Sequence, residues 1–397
     1  MFKEIFIFCY LLSFKAVFNI FKLFPQKNKI TLVVSFEENP AYVFQELLKR
    51  KVPYEIIILS KETFSEEFEK ELKMATIIPF ETYNIIHWIQ SIYHLSTSRW
   101  LIIDNYYGFL STVHFKENVE CIQIWHAAGA LKTFGLQDHS VEFRSKAAKK
   151  RFRKVYEKFD KVVVGSEVMA SIFMDSFDLS PSSILRTGVP RTDFFFEKEN
   201  HETLVVQFRE QFPKIKGKKV ILYAPTFRDS QFEDYEIKLD LDRMYQQLNK
   251  NHVLFIKLHP AVKAKYDYQK LYPDFVYDLT SYKRMNEFLV ITDILITDYS
   301  STPFEFALLK KPMIFYTYDL ELYKKERGVI SNFEQEVPGP LAFDTNEVIK
   351  LILNSKTDIK LICEFSHTWN KYSDGSASKK LVDYIVNKDK RLTSQEF

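Results

Sequence analysis

The sequence is poor in several features that mark particular classes of protein. Its three cysteines, at positions 9, 121 and 363, are too few and too far apart for a disulfide framework or a zinc site, and they favour a reducing compartment. Nine glycines and 14 prolines exclude collagen-like and linker-like chains. The net charge of +3, from 55 basic and 52 acidic residues, predicts no nucleic-acid partner.

Signature motifs of common enzyme classes are also absent. The chain has no Walker A pattern and no GxGxxG, which disfavours P-loop nucleotidases and dinucleotide enzymes. It has no GxSxG elbow, and no HExxH or CxxC spacing indicates a metal site. What is present is a chain of 397 residues, 46% hydrophobic and 27% charged, which is the balance of a folded protein with two or three domains.

Residues 1–25 are apolar, but they lack the uninterrupted run of about 20 residues that a membrane-spanning helix needs. On a helix, Glu4, Lys15, Asn19 and Lys22 fall within a narrow arc, and most of the remaining surface is aromatic or aliphatic. No small-residue cleavage site follows, so a signal peptide is not expected. We expect an amphipathic helix that lies in a membrane interface. The alternative is a buried first helix of the domain.

Short β-branched runs then alternate with helix-length segments, which predicts an α/β protein with parallel sheets covered on both faces. The predicted strands form two sets, at 30–36, 55–60, 75–80, 100–104, 121–126 and 161–166, and at 219–226, 252–259, 275–279, 293–298 and 311–317. The strandless segment 197–219 is the predicted hinge. We therefore predict a membrane-associating segment at 1–25 and two doubly wound domains, at 26–196 and 197–397. Ligands of such sheets bind beyond the carboxyl ends of the strands, here in a cleft between the domains.

Two histidines are predicted to end strands, one in each domain. His126 precedes a turn of small residues, and its imidazole is a candidate general base. His259 shares one side of a strand with Lys257, so the two side chains are candidate pyrophosphate ligands. In each case the alternative is structural: a hydrogen-bonded histidine at a strand end, or a loop histidine beside an exposed lysine.

A hydroxyl-rich segment follows the strand that ends at Asp298. Ser300 and Ser301 precede a helix start, where free N–H groups and the helix dipole favour an anion such as phosphate. Glu305, in the first turn, is a candidate acceptor for ribose hydroxyls. The alternatives are an ordinary helix cap for the serines and a dipole-favoured acid for the glutamate.

Arginines supply the remaining charge of the predicted site. Arg228 lies just after a predicted strand, and Arg191 follows Gly188-Val189-Pro190. A guanidinium matches phosphate geometry with two hydrogen bonds. For each of the two, a solvated loop arginine without a substrate role is an equally good interpretation. The basic run 146–158 is interpreted as a solvated helix face, with a surface towards anionic lipid as the less favoured alternative.

Taken together, the motifs resemble the CDP-glycerol glycerophosphotransferase family of wall teichoic acid synthesis. The resembling segments, in the family's order, are IIDNYYG (102–108), QIWHAAGALKTFGLQDH (123–139), VVVGSE (162–167), TGVPRTD (187–193), ILYAPTFRD (221–229), IKLHP (256–260) and ITDILITDYSSTPFEFALLKKPMIFYTYD (291–319). The resemblance implies a GT-B architecture, in which two Rossmann-like domains face a cleft. It implies transfer of glycerol phosphate from CDP-glycerol to a hydroxyl of a lipid-linked acceptor, with release of CMP.

The resemblance also assigns roles to residues. The family's catalytic histidine pair aligns with His126 and His259, and its nucleotide site falls on Thr226, Arg228, Ser300, Ser301 and Glu305. Arg191, Lys257 and Asp298 complete the predicted substrate-binding set. His126 is expected to deprotonate the acceptor hydroxyl, while His259 and the cations stabilise the departing CMP. No metal or other cofactor is therefore expected to be required. A divalent cation is compatible with the sequence, which does not indicate one.

The segment WHAAGALK (125–132), where polymerases of the family read WHGTPLK, resembles the primase branch, which adds the first glycerol phosphate to an undecaprenyl-diphosphate-linked disaccharide. The expected location is the cytoplasmic face of the cell membrane as a peripheral protein, in company with other wall teichoic acid enzymes. The rival functions are a polymerase or ribitol-phosphate transferase of the same family, a nucleotide-sugar glycosyltransferase and a non-catalytic membrane scaffold.

Overall fold

The computed structural model describes residues 2–61, 64, 66–228, 234–259, 261–330, 332–354 and 358–393. They form two compact units. Unit 1 comprises the described residues of 1–127, 134–193 and 372–397, and unit 2 comprises those of 128–133 and 194–371.

Unit 1 is built on a seven-stranded sheet in the order β3-β2-β1-β4-β5-β6-β7, in which every pairing is parallel. Its elements from 2 to 193 are α1 (Phe2–Phe21), β1 (Lys29–Val34), α2 (Glu38–Lys49), β2 (Glu55–Ser60), α3 (Glu66–Glu71), β3 (Thr76–Pro79), α4 (Ile85–Thr97), β4 (Trp100–Ile103), β5 (Glu120–Gln123), α5 (Lys146–Tyr156), β6 (Lys161–Val163), α6 (Glu167–Phe177) and β7 (Ile184–Leu185). The central strands β1, β4 and β5 are buried at every residue, as expected for a sheet with both faces covered.

Unit 2 holds a six-stranded parallel sheet in the order β10-β9-β8-β11-β12-β13. Its elements are α7 (Lys198–Gln211), β8 (Lys219–Ala224), α8 (Leu241–Leu248), β9 (His252–Ile256), α9 (Tyr268–Leu271), β10 (Val276–Asp278), α10 (Met285–Ile291), β11 (Ile294–Thr297), α11 (Thr302–Phe306), β12 (Met313–Tyr316), α12 (Leu320–Glu326), α13 (Phe333–Glu336), β13 (Leu341–Ala342), α14 (Thr345–Leu353) and α15 (Ile359–Trp369). The two parallel sheets confirm the predicted α/β fold class.

The last helix, α16 (Ala377–Thr393), belongs to unit 1. Leu381, Val382 and Ile385 are fully buried in the core of that unit, and the Asp193 carboxylate accepts hydrogen bonds from the first N–H groups of the helix. The sequence-based boundary, which assigned all of 197–397 to the second domain, differs from the structure here. The amphipathic pattern of α16 shows that it has an apolar face, but not which sheet covers that face.

The predicted strands all correspond to strands of the structure; β2 has the predicted ends, and the others differ at one end or both. The structure ends β5 at Gln123 and β9 at Ile256, so His126 and His259 each lie three residues beyond a strand and not at its last position. The predicted hinge 197–219 contains the helix α7. Two short edge strands, β7 and β13, were not predicted, because two-residue strands have no readable alternation.

Helix α1 combines features of both sequence-based alternatives. Leu11, Phe14 and Phe18 are buried against unit 1, where the Phe14 ring packs on Trp88 of α4 and on Phe109. The opposite face remains apolar and exposed. The window Glu4–Phe21 is in fact long and apolar enough, by length and composition alone, to cross a membrane, which the interrupted run of apolar residues had not indicated.

Candidate active site

His126 lies in a loop whose backbone is held from several sides. After β5, Trp125 adopts a left-handed conformation with φ of 54°, which is uncommon for a bulky residue. Its N–H donates to the side-chain oxygen of Gln123 at 2.8 Å, and its carbonyl accepts from the Asn39 amide at 2.8 Å. These hydrogen bonds hold the turn that presents the histidine.

The His126 imidazole is fixed in one orientation. Its Nδ1 lies 3.0 Å from the Asp104 carbonyl oxygen, and its ring packs against Phe36 and Trp125 with centroids 4.7 and 4.4 Å away. Because a carbonyl only accepts, Nδ1 carries the proton in the neutral ring and the Nε2 lone pair is the basic site. Burial, opposed by this hydrogen bond and assisted by Arg191, lowers the pKa of His126 to about 4, so the ring is neutral at pH 7.

Arg191, a predicted substrate ligand in the same unit as His126, contacts the histidine loop. Its Nη1 donates to the His126 carbonyl at 3.0 Å, and its Nη2 lies 2.7 Å from a carboxylate oxygen of Glu38. Its own N–H donates to the side-chain oxygen of Asn39. The guanidinium therefore supports the histidine loop through the backbone. Asn39 and Glu38, which complete this support, were not singled out from the sequence, since neither belongs to a recognisable motif.

His259, in unit 2, is exposed and holds the opposite tautomer. The Ala261 N–H donates to its Nδ1 at 3.2 Å, so the neutral ring carries its proton on Nε2. Its ring packs on Phe227 at 4.7 Å. Lys257, predicted to share a strand face with it, lies beyond β9 and donates to the carbonyls of Thr280 and Tyr282 at 2.9 and 2.6 Å.

Arg228 is embedded in an ion-pair cluster. Its Nε and Nη2 contact both carboxylate oxygens of Asp319 at 2.9 and 3.0 Å, and Nη2 also contacts Asp298 at 3.1 Å. The guanidinium lies 4.7 Å from the Tyr323 ring centroid. Burial alone would lower the pKa of Arg228, but Asp298 and Asp319 overcome that effect and raise it. Asp319 was missed in the sequence, although it ends the longest resembling segment.

Both carboxylate oxygens of Asp298 are paired with other groups of unit 2. Its Oδ1 accepts from the N–H groups of Thr226 and Tyr299 at 2.8 and 2.6 Å, and only 2% of the residue is exposed. Burial raises its pKa and Arg228 opposes that rise. The structure thus brings Thr226, Arg228 and Asp298 together, with Asp298 joining the ends of β8 and β11.

The helix that follows the hydroxyl-rich segment is short. Helix α11 has five residues before it tightens into a 3₁₀ turn at Ala307, so its dipole is small. The Ser300 hydroxyl accepts from the Thr302 N–H at 3.1 Å, and Ser301 makes no side-chain cap. Glu305 is buried, with 1% exposed. Over the described residues, no group of three or more His, Cys, Asp or Glu side chains is placed to hold a metal ion.

Comparison with known proteins finds similar chains along most of the sequence. The sequence profile of the CDP-glycerol:poly(glycerophosphate) glycerophosphotransferases matches residues 16–387. The teichoic acid glycerol-phosphate primase of Bacillus subtilis (strain 168) is 38% identical over 382 residues, covering 96% of this chain and 97% of the relative. A teichoic acid ribitol-phosphate primase of Bacillus spizizenii is 37% identical over 305 residues, covering 76% and 78%. The solved structure of the wall teichoic acid polymerase TagF covers 99% of both chains with a TM-score of 0.80 at 22% identity.

Proposed function

Since the chain belongs to the CDP-glycerol:poly(glycerophosphate) glycerophosphotransferase family, we propose that it is a teichoic acid glycerol-phosphate primase. It transfers one glycerol phosphate from CDP-glycerol to a hydroxyl of an undecaprenyl-diphosphate-linked disaccharide and releases CMP. The 38% sequence identity to the Bacillus subtilis primase, over nearly the full length of both chains, supports this step over the other reactions of the family.

The observation that supports the mechanism is the opposite hydrogen-bonding role of Nδ1 in the two histidines: Nδ1 of His126 faces a carbonyl acceptor, and Nδ1 of His259 faces an N–H donor. Nε2 of His126 is unprotonated and accepts the proton of the attacking hydroxyl, and Nε2 of His259 carries a proton that it donates to a phosphate oxygen. A neutral base and a hydrogen-bond donor are the two groups that an in-line displacement at phosphorus needs. Nε2 of His126 makes no hydrogen bond to another residue within the described ranges, so its lone pair is available to the acceptor.

Turnover is tested by CMP release from CDP-glycerol, which should require the lipid-linked disaccharide. His126→Gln and His259→Gln should each lower turnover about 10²–10⁴-fold, the usual effect of losing an acid or base. His367→Gln, at an exposed position of α15, is the matched control and should leave turnover unchanged. CMP release without acceptor, or full activity of His126→Gln, would contradict the proposal. A protein silent with every donor would support the scaffold alternative.

The ribitol-phosphate primase at 37% identity favours a second donor, CDP-ribitol. Competition between radiolabelled CDP-glycerol and CDP-ribitol for the same acceptor decides between them. Counting the phosphates added to each acceptor separates a primase, which adds one, from a polymerase.

The outer face of α1 supports a proposal of membrane association. Ile5, Phe8, Leu12 and Ile20 are each more than half exposed, which is unusual for four large apolar residues on one helix. The pKa of His114 is lowered by the positive charge of Lys158, then by burial and by Lys15, Lys22 and Lys154, so basic side chains in and just after α1 and α5 act on this one histidine. We propose that this combination binds the anionic cytoplasmic leaflet, where the acceptor resides.

The membrane proposal is tested by sedimentation with vesicles containing anionic phospholipid. Phe8→Asp with Leu12→Asp should abolish binding, because each places a charge in the lipid-facing surface. Ile359→Asp, equally exposed but on unit 2, should bind like the unchanged protein. Undiminished binding of the double variant would refute the assignment of this face.

Metal independence remains a prediction. Lys257 and Arg228, the cations expected to stabilise the departing CMP, already hold partners within unit 2. Turnover should survive dialysis against EDTA, and activity that returns only on addition of Mg²⁺ would contradict the expectation.

A further inference from the structure

Asp104 is the residue directly after β4, within the first resembling segment, and the predicted chemistry leaves it without a role. Its side chain is fully buried. Oδ2 accepts hydrogen bonds from the N–H groups of Ser35 and Phe36 at 2.8 and 2.7 Å, and Oδ1 accepts from the Tyr107 hydroxyl at 2.7 Å. The carboxylate therefore joins the loop after β1 to the end of β4, a neighbouring strand of the same sheet.

Two of the three contacts that orient the His126 ring depend on this residue, and the third is the packing of Trp125. The backbone carbonyl of Asp104 accepts from Nδ1 and selects the tautomer, and Phe36, whose N–H is held by the carboxylate, packs on the ring. An aspartate whose side chain is locked by three donors has a fixed backbone, so its carbonyl stays aimed at Nδ1.

Part of this arrangement recurs in unit 2. Asp298, the residue after β11, accepts from the Thr226 N–H after β8, and the next residue, Phe227, packs on His259. The contact between an aspartate carbonyl and an imidazole Nδ1 is described for His126 and not for His259, whose Nδ1 accepts from the Ala261 N–H.

We propose that Asp104 is a positioning residue, which holds His126 in the tautomer and orientation that leave Nε2 as the base, and that it does so by accepting hydrogen bonds and not by its charge. The proposal rests on the proposed function for its kinetic readout only. The charged groups near Tyr107, the partner of Asp104, are Lys61 after β2, whose Nζ lies 4.9 Å from the Tyr107 ring centroid, and Glu81, whose charge helps to raise the pKa of Tyr107 after burial and Asp104.

Asp104→Asn separates acceptance from charge. Its amide oxygen can replace Oδ2 for both N–H groups, and its NH₂ can donate to the Tyr107 oxygen while the Tyr107 hydroxyl donates to the Val33 carbonyl, 3.0 Å away. Asp104→Ala leaves the two N–H groups without an acceptor. Asp160→Ala is the matched control, since Asp160 also accepts a backbone N–H, that of Cys121, but near the amino end of β5.

Two measurements test the proposal. Asp104→Ala should lower kcat about 10²-fold with KM for CDP-glycerol little changed, the usual effect of misplacing a catalytic group by about 1 Å. Asp104→Asn should stay within about threefold of the unchanged protein, and Asp160→Ala should match it. Independently of activity, ¹⁵N-histidine NMR, with His126 assigned through His126→Gln, should show a protonated Nδ1 in the unchanged protein and in Asp104→Asn, and mixed tautomers in Asp104→Ala.

Three results would overturn the proposal: equal kcat losses in Asp104→Asn and Asp104→Ala, a loss confined to KM, or an unchanged His126 tautomer in Asp104→Ala. If the unchanged protein releases no CMP, the proposed function fails, and the NMR comparison still decides whether Asp104 positions the ring.

Discussion

Removing Arg228 distinguishes the sequence-based role of this residue from the one its contacts support. The resemblance assigns it to the nucleotide site, whereas the structure pairs it with Asp298 and Asp319. Its side chain is 13% exposed, and the two carboxylates are 3% and 15% exposed. Arg228→Ala would leave two nearby carboxylates without their counter-ion in a largely buried place.

The expected loss is large for one substitution. Removing one partner of a buried pair costs about 3–5 kcal/mol, because the other charge stays desolvated. For a unit in the 150–250-residue range this corresponds to a fall in Tm of roughly 6–20 °C. Arg228→Ala combined with Asp319→Asn should recover part of the loss, since one uncompensated charge is then removed.

The assay is thermal and urea unfolding, followed alongside KM for CDP-glycerol. Arg243→Ala is the control: its pair with Asp240 has both side chains about half exposed, so about 0–1 kcal/mol is expected. A loss below about 1 kcal/mol in Arg228→Ala, together with a KM raised at least tenfold, would refute the structural role and restore the substrate-binding one.

Three further outcomes are expected. Gly129→Ala should destabilise the protein by about 1–3 kcal/mol in urea unfolding, since a Cβ there would lie 2.4 Å from the Phe304 ring, and an unchanged midpoint would contradict this close packing. Asp193→Ala should cost about 1–2 kcal/mol by uncapping Ala377–Thr393, and Asp193→Asn should cost less; equal losses would argue against capping. The pKa of His126 is about 4 in the folded protein and 6.5 in the unfolded chain, so between these pH values the unfolded chain binds the extra proton and stability falls as the pH drops. The stability advantage of the unchanged protein over His126→Gln should therefore shrink by about 2 kcal/mol from pH 7 to pH 5. A constant difference would show that the ring titrates normally.

The reaction class could be predicted from the sequence because the motifs that indicate it are short, continuous segments of the chain. Segments such as the one around His126 keep their residue types in order along the chain, and strand runs such as Glu55–Ser60 show their burial directly in their composition. The placement of α16 could not be predicted in this way. Its apolar face matches either sheet, and only packing with Val43 and Leu47 in the core of unit 1 determines the choice.

The sequence by itself determined the α/β class, the two sets of parallel strands and the family. These depend on hydrophobic periodicity and on short runs of residues, and both are properties of neighbours in the chain. Only the tertiary structure decided the tautomers of His126 and His259, the pairing of Arg228 with Asp319 and the support that Asp104 gives from 22 residues away. A proton on an imidazole nitrogen is set by whichever donor or acceptor the fold brings to it, and that partner is recorded nowhere in the local sequence.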